Sequence, residues 1–286
     1  MDVRADSRSK GSPALACSTI CFRNEDLQGA LERTRQQGFG AIDLGALNGL
    51  CEHVPLFGTT EDLREASRLV VASGLDVLSV NADPGSFNDG SSPLEILDRI
   101  ESLAVFCAET SSPLLLLPCG APERDDVPYR AQLESVASGI NAATASAARY
   151  GVRVAVEAPH YYRLVNTLDR VRDLIPLLDP EVGLVYDVSH VRAAGEEPAS
   201  AYEEFAPRVV HVHLRDAEPG NIRKVLGSGD VDFGAFYASS QAAGYAGSYV
   251  LELETHDSPF TTKEEEVADA LLRLDHVFRS PAKAAK

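Results

Sequence analysis

Eight apolar runs of strand length recur along the chain, each followed by a longer amphipathic stretch. They are ALACSTI (residues 14–20), AIDLGA (41–46), LDVLSV (75–80), PLLLLP (113–118), VRVAVE (152–157), VGLVYD (182–187), RVVHVHL (208–214) and SYVLELE (248–254). Helix-period stretches open near Asn24, near Thr60 and at Pro93, then run over about 129–149, from Thr167, near 198–206, from Asp232 and over about 263–279. In SSPLEILDRIESLAVFCAE the pattern predicts Ser92 as the cap, Pro93 in the first turn, and an apolar stripe of Leu94, Leu97, Ile100 and Leu103–Ala104. Strands that are apolar at nearly every position belong to a parallel sheet whose faces are both covered by helices. Eight strand and helix pairs therefore predict an α/β chain closed as a (β/α)8 barrel over residues 13–280, with tails at 1–12 and 281–286. The runner-up is an open doubly wound sheet. Against it, no G-x-G-x-x-G or G-x-x-x-x-G-K-[ST] loop follows the first strand.

Four of the runs end in groups that could ligate a metal: Glu157 after VRVAV, Asp187 after VGLVY, His213 within VVHVHL and Glu252 after SYVL. Strand ends meet at the mouth of a parallel barrel, so these side chains point to a single divalent-metal site there. Oxygen and nitrogen donors without a thiolate suit Mn²⁺, Mg²⁺ or Co²⁺ better than Zn²⁺. Each residue also has a plainer explanation as a solvated strand end, a salt-bridge partner or a turn former. His211 shares a strand face with His213 and would sit one layer deeper, as a supporting group. Glu254 repeats the pattern of Glu252, leaving open which of the two is the ligand. His190, three residues after Asp187, shares its face if the turn is helical. His160 in EAPH and Arg192 in SHVRAAG are further possible substrate contacts, and Asp216 is expected to brace its loop. The Gly, Pro and Asp-rich loops DPGSFNDGSSP and GAPERDDVP lie on the same face and are candidates for covering a substrate.

Composition narrows the classes. The chain has 286 residues, 44% hydrophobic and 24% charged, with a formal net charge of −17, which opposes a polyanionic partner such as nucleic acid. No run approaches the roughly 20 apolar residues needed to span a bilayer, and the first dozen residues lack an apolar signal-peptide centre, so a cytoplasmic protein without a membrane partner is expected. Five scattered cysteines (Cys17, Cys21, Cys51, Cys107, Cys119) read as reduced core thiols.

The set VAVE, VYDVSH, VHVHLRD, LGSGDVDF and YAGSYVLELE resembles the xylose isomerase-like TIM barrel superfamily. That superfamily includes sugar phosphate isomerases and epimerases, ketose 3-epimerases, inosose isomerases and dehydratases, hydroxypyruvate isomerase and endonuclease IV. The resemblance covers strands five to eight and is weak in the first third. It implies metal ligands at Glu157, Asp187, His213 and Glu252, with Glu252 preferred over Glu254 because it stands seven residues after Tyr245 in Y-x-G-x-x-x-x-E. It implies substrate contacts at His190 and Arg223, to which the residues add His160. Endonuclease IV is disfavoured: Asn221 and Arg223 stand where an Asp and a His would be expected, and strand four ends in LLPCG without a His.

The activity so implied is a divalent-metal-dependent isomerase or epimerase of a ketose, keto-sugar or keto-cyclitol. It would work through a metal-stabilised enediolate, with Glu157 and Glu252 as the acid/base pair. The alternatives are a lyase or dehydratase on a related keto-sugar or inosose, or a non-catalytic sugar-binding barrel. Homo-oligomers are common in the resembling family. The absence of a phosphate cradle favours an unphosphorylated substrate.

Overall fold

The computed structural model describes residues 15–254 and 258–279, and its eight parallel strands close on themselves. They are Leu15–Ser18, Ala41–Leu47, Asp76–Ala82, Leu114–Pro118, Arg153–Glu157, Gly183–Asp187, Val209–Leu214 and Tyr249–Leu251, hereafter barrel strands one to eight. Neighbours pair in sequence order, and strand one closes the ring by pairing with both strand two and strand eight. Eight parallel strands with intervening helices are the (β/α)8 TIM barrel expected from the hydrophobic pattern. Two short additions decorate it: Cys51–Glu52 runs antiparallel to the end of strand two, and Asp216–Glu218 pairs with Asn221–Lys224 after strand seven. The expected tails, 1–12 and 281–286, lie outside the described residues. No helix among the described residues is long and apolar enough to cross a membrane.

The period of two along each strand divides the core. Val154 and Val156 of strand five, Leu115 and Leu117 of strand four, and Leu184 and Tyr186 of strand six join the large apolar layer under the helices. Their alternates Ala155, Leu116 and Val185 form a small separate cluster inside the barrel. Continuing inward positions towards the carboxyl ends brings Glu157 and Asp187 above that plug. Register levels the strand ends: Asp187 pairs with His213, and His213 with Val250.

Helix starts follow the predicted chemistry. Asp26, Thr59, Thr167 and Asp232 each accept a backbone N–H from the first turn of the helix they precede. The helix Pro93–Glu109 departs from expectation on two points. Ser92 makes no side-chain cap bond, and Leu94 is 74% exposed. The buried face is Ile96, Ile100, Leu103–Ala104 and Cys107; Leu94, two residues before Ile96, is turned about 200° from it at 100° per residue.

The loops after strands three and four also behave differently from simple covers. Asn88 Nδ2 donates to Ala121 O (3.2 Å) and to Gln132 Oε1 (3.2 Å), while Asn88 Oδ1 accepts from Ala121 N (2.8 Å). Gln132, on the helix Tyr129–Ala148, in turn donates to Arg124 O and Val127 O. The two loops are thus tied to each other and to that helix. Of the two loops, only Asp83 and Pro122 reach the mouth.

Candidate metal centre and active site

Four elements deliver the central residues. Glu157 and Asp187 end strands five and six, His213 lies in strand seven, and Glu252 follows strand eight by one residue. One ligand atom from each lies within 4.8 Å of the others. His213 Nδ1 is 3.2 Å from Glu157 Oε1 and 3.5 Å from Glu252 Oε2. All four side chains are buried, where three carboxylates repel one another and lose hydration. Such a cluster persists only with positive charge in or beside it. The donor set, carboxylate oxygens with one imidazole nitrogen, fits a divalent cation that prefers oxygen.

Two side chains supply positive charge from the protein. Arg215 is fully buried, with its NH2 3.0 Å from Asp187 Oδ2 and 3.7 Å from Glu252 Oε2, and its NH1 2.9 Å from Glu254 Oε2. Its Nε donates to Ser189 Oγ at 3.0 Å. Glu254 is thereby occupied by Arg215, and Glu252 faces the cluster. His213 is the second: burial opposes its protonation, but Glu252, Asp43 and Glu157 together hold its pKa well above the ordinary value. The two glutamates diverge. Burial pushes Glu252 up to about 8, only partly offset by His213 and Arg215. For Glu157 burial is outweighed by the hydrogen bond from His213 together with the nearby His160, His190 and His213 rings, which hold it well below the usual carboxylate range.

A cavity of about 410 Å³ opens above these groups. The turn after strand six is the helix Val188–Ala193, capped by Asp187 through its bond from Ser189 N (2.7 Å). That turn carries His190 back over the cluster, with Nε2 3.8 Å from Asp187 Oδ2. His160 stacks on His190 with ring centroids 3.9 Å apart, and its Nε2 lies 3.7 Å from Glu157 Oε2. Burial depresses both histidines, His190 to about 3, so both rings are neutral near pH 7. Arg163 pairs with Asp83 at 2.5 Å on the rim. Arg223 lies over the Tyr162 ring at 5.9 Å and, among the described residues, has no carboxylate within ion-pair distance.

Two residues weighed from sequence take structural places. Arg192 pairs with Glu197 and Asp230, away from the cavity. Asp216 accepts from the backbone N–H groups of Gly227 (2.7 Å), Gly229 (2.9 Å) and Val231 (3.2 Å), bracing the loop that begins at the hairpin. A Cβ at Gly229 would fall 2.3 Å from Asp216 Oδ1, so this approach needs glycine. All five cysteines are buried and unpaired, and burial pushes the Cys107 and Cys119 thiols up to about 12.

The pattern of the xylose isomerase-like TIM barrel family matches residues 31–276. The chain belongs to that family. Among similar proteins is an inosose dehydratase of Lactiplantibacillus plantarum, 29% identical over 154 residues, 46% of this chain and 51% of the relative. Another is the L-ribulose-5-phosphate 3-epimerase UlaE of Salmonella paratyphi C, 28% identical over 125 residues, 42% of this chain and 44% of the relative. The matched stretch spans about half the length of these curated relatives. Solved structures share the architecture at lower identity. The 3-keto-D-glucoside 4-epimerase YcjR of E. coli superposes with a TM-score of 0.75 at 21% identity, covering 92% of this chain and 99% of that one. A zinc-bound IOLI protein gives 0.75 at 19%, covering 93% and 98%.

In this xylose isomerase-like barrel, three residues of the site escape a reading based on strand ends. Asn81, in strand three, donates to Glu252 Oε1 at 3.2 Å. Arg215 stands in HLRD, two positions after His213. Asp43, in the middle of strand two, is fully buried with Oδ2 2.9 Å from His213 Nε2. An acidic residue inside the otherwise apolar run AIDLGA was the available signal.

Proposed function

We propose that this chain is a divalent-metal-dependent isomerase or epimerase of a ketose, keto-sugar or keto-cyclitol. Glu157, Asp187, His213 and Glu252 hold the ion, and His190, His160 and Arg223 contact the substrate. The observation that carries the reading is the convergence of those four buried donors within 4.8 Å beneath a cavity. Kinship with a 3-epimerase and an inosose dehydratase supports the substrate class. When bound, the ion supplies Lewis acidity for the negative oxygen that forms as a proton leaves the carbon beside a carbonyl.

The residues divide the remaining work. Glu157, ionised well below neutral pH, takes the proton, and Glu252, whose burial favours the protonated form, returns one. With a cation present both carboxyls fall, and only their order carries over. Return to the other face of the same carbon epimerises; return to the neighbouring carbon isomerises. His190 faces donors at both nitrogens, Tyr161 N–H at Nδ1 (3.0 Å) and Arg215 NH2 at Nε2 (3.1 Å). A neutral ring accepts only one hydrogen bond, so the other nitrogen carries an N–H without a close acceptor. With the N–H at Nε2, the nearest carboxylate is Asp187 at 3.8 Å, and a substrate oxygen in the cavity is the better partner.

A dehydratase reading shares the first proton removal and is favoured by the inosose dehydratase relatives. Incubating ketoses, inososes and 3-keto-glycosides with Mn²⁺, Mg²⁺ or Co²⁺ in D₂O tests both. The expected result is deuterium at a carbon next to a carbonyl, falling at least about 10²-fold in Glu157→Gln with the fold retained. Water loss in the product selects the dehydratase, and absence of exchange and of metal uptake overturns the proposal.

A further inference from the structure

We propose that Asp43 is a positioning residue for this centre: it accepts the Nε2 proton of His213 and so turns Nδ1, unprotonated, towards the cation. The inference rests on the metal reading above and adds a residue outside its donor set. Asp43 lies mid-strand, level with the interior of the barrel and fully buried. Its Oδ2 is 2.9 Å from His213 Nε2, on the ring edge opposite the one that meets Glu157 and Glu252.

Several observations separate this contact from an incidental one. Among the described residues no Arg or Lys lies within ion-pair distance of Asp43; its ionic neighbours are His213 and, at 3.9 Å, His211. His211 Nε2 is engaged by Ser79 Oγ at 3.3 Å, which leaves His213 as the close partner. Asp43 Oδ1 has no hydrogen-bond partner among the described residues. A carboxylate kept in so poor a setting is explained by what its other oxygen does. A neutral imidazole carries one proton, and a proton on Nδ1 would block the cluster. A carboxylate at Nε2 fixes the useful tautomer and raises the basicity of the ligating nitrogen.

The test compares metal uptake by the wild type, Asp43→Asn and Ser79→Ala, the last touching His211 and not His213. Zn²⁺ and Mn²⁺ dissociation constants should weaken about 10- to 100-fold in D43N and stay within about threefold in S79A. Equal affinity in D43N overturns the inference. A second readout needs no folded variant: in zinc-loaded wild type labelled with ¹⁵N-histidine, His213 should show a hydrogen-bonded proton on Nε2. A bare or zinc-ligated Nε2, including a second zinc per chain, overturns it. No metal uptake by the wild type instead removes the metal reading itself, an outcome visible before any variant is made.

Discussion

Arg215 meets three carboxylates at once. With Asp187, Glu252 and Glu254 around one guanidinium, replacing it by methionine leaves buried carboxylates uncompensated, a loss of about 3–5 kcal/mol for a broken buried pair. Thermal unfolding of metal-free Arg215→Met should fall by roughly 10 °C, and an unchanged midpoint would contradict the network described here. Protons compete with metal at the same atoms. His213 and Glu252 both have raised pKa values, so both are protonated at mildly acidic pH and must release protons before ligating. Metal affinity should therefore climb as pH rises towards about 8, the value for Glu252, with about one to two protons released near pH 7. Calorimetry in buffers of different ionisation enthalpy measures that release; a pH-independent affinity from 6 to 8 would refute it. That the four strand-end candidates would meet was legible because a polar residue closing an apolar run is conspicuous, and the fold does bring them within 4.8 Å of one another. Arg215 and Asp43 were not, since what each touches is set by barrel closure across long stretches of chain.

Among the elements, the helix Tyr129–Ala148 positions the rim by receiving both preceding loops. Gly139 is the contact point: a Cβ there would lie 2.1 Å from the Phe87 ring. Gly139→Ala should destabilise the fold by about 1–3 kcal/mol through overpacking, while metal affinity stays unchanged. Denaturant unfolding alongside metal titration checks both halves. The loops' composition announced turns but not the Asn88–Ala121–Gln132 bonds, which depend on two loops meeting. The stripe of the helix Pro93–Glu109 was misplaced at Leu94 for a related reason: apolar residues covered more than one face, and only packing selects among them.

For the whole molecule, closure itself was the most readable feature, because strands buried on both faces admit few arrangements. If the native chain alone binds metal, an ion at 100 times its dissociation constant adds about 2.7 kcal/mol and should raise the unfolding midpoint by roughly 5–10 °C. Differential scanning with and without a chelator measures the shift. A flat response would leave the carboxylate cluster without a ligand. The same cluster has a kinetic corollary. Asp83, Glu157, Glu252 and Glu254 outnumber Arg163, Arg215 and Arg223 around the opening, with Asp187 buried beneath it, in a chain of net charge −17, so the field there favours the entry of small cations over anions. The rate of ion capture should then drop steeply as ionic strength rises, whereas the arrival of an uncharged polyol-like molecule should be indifferent to salt.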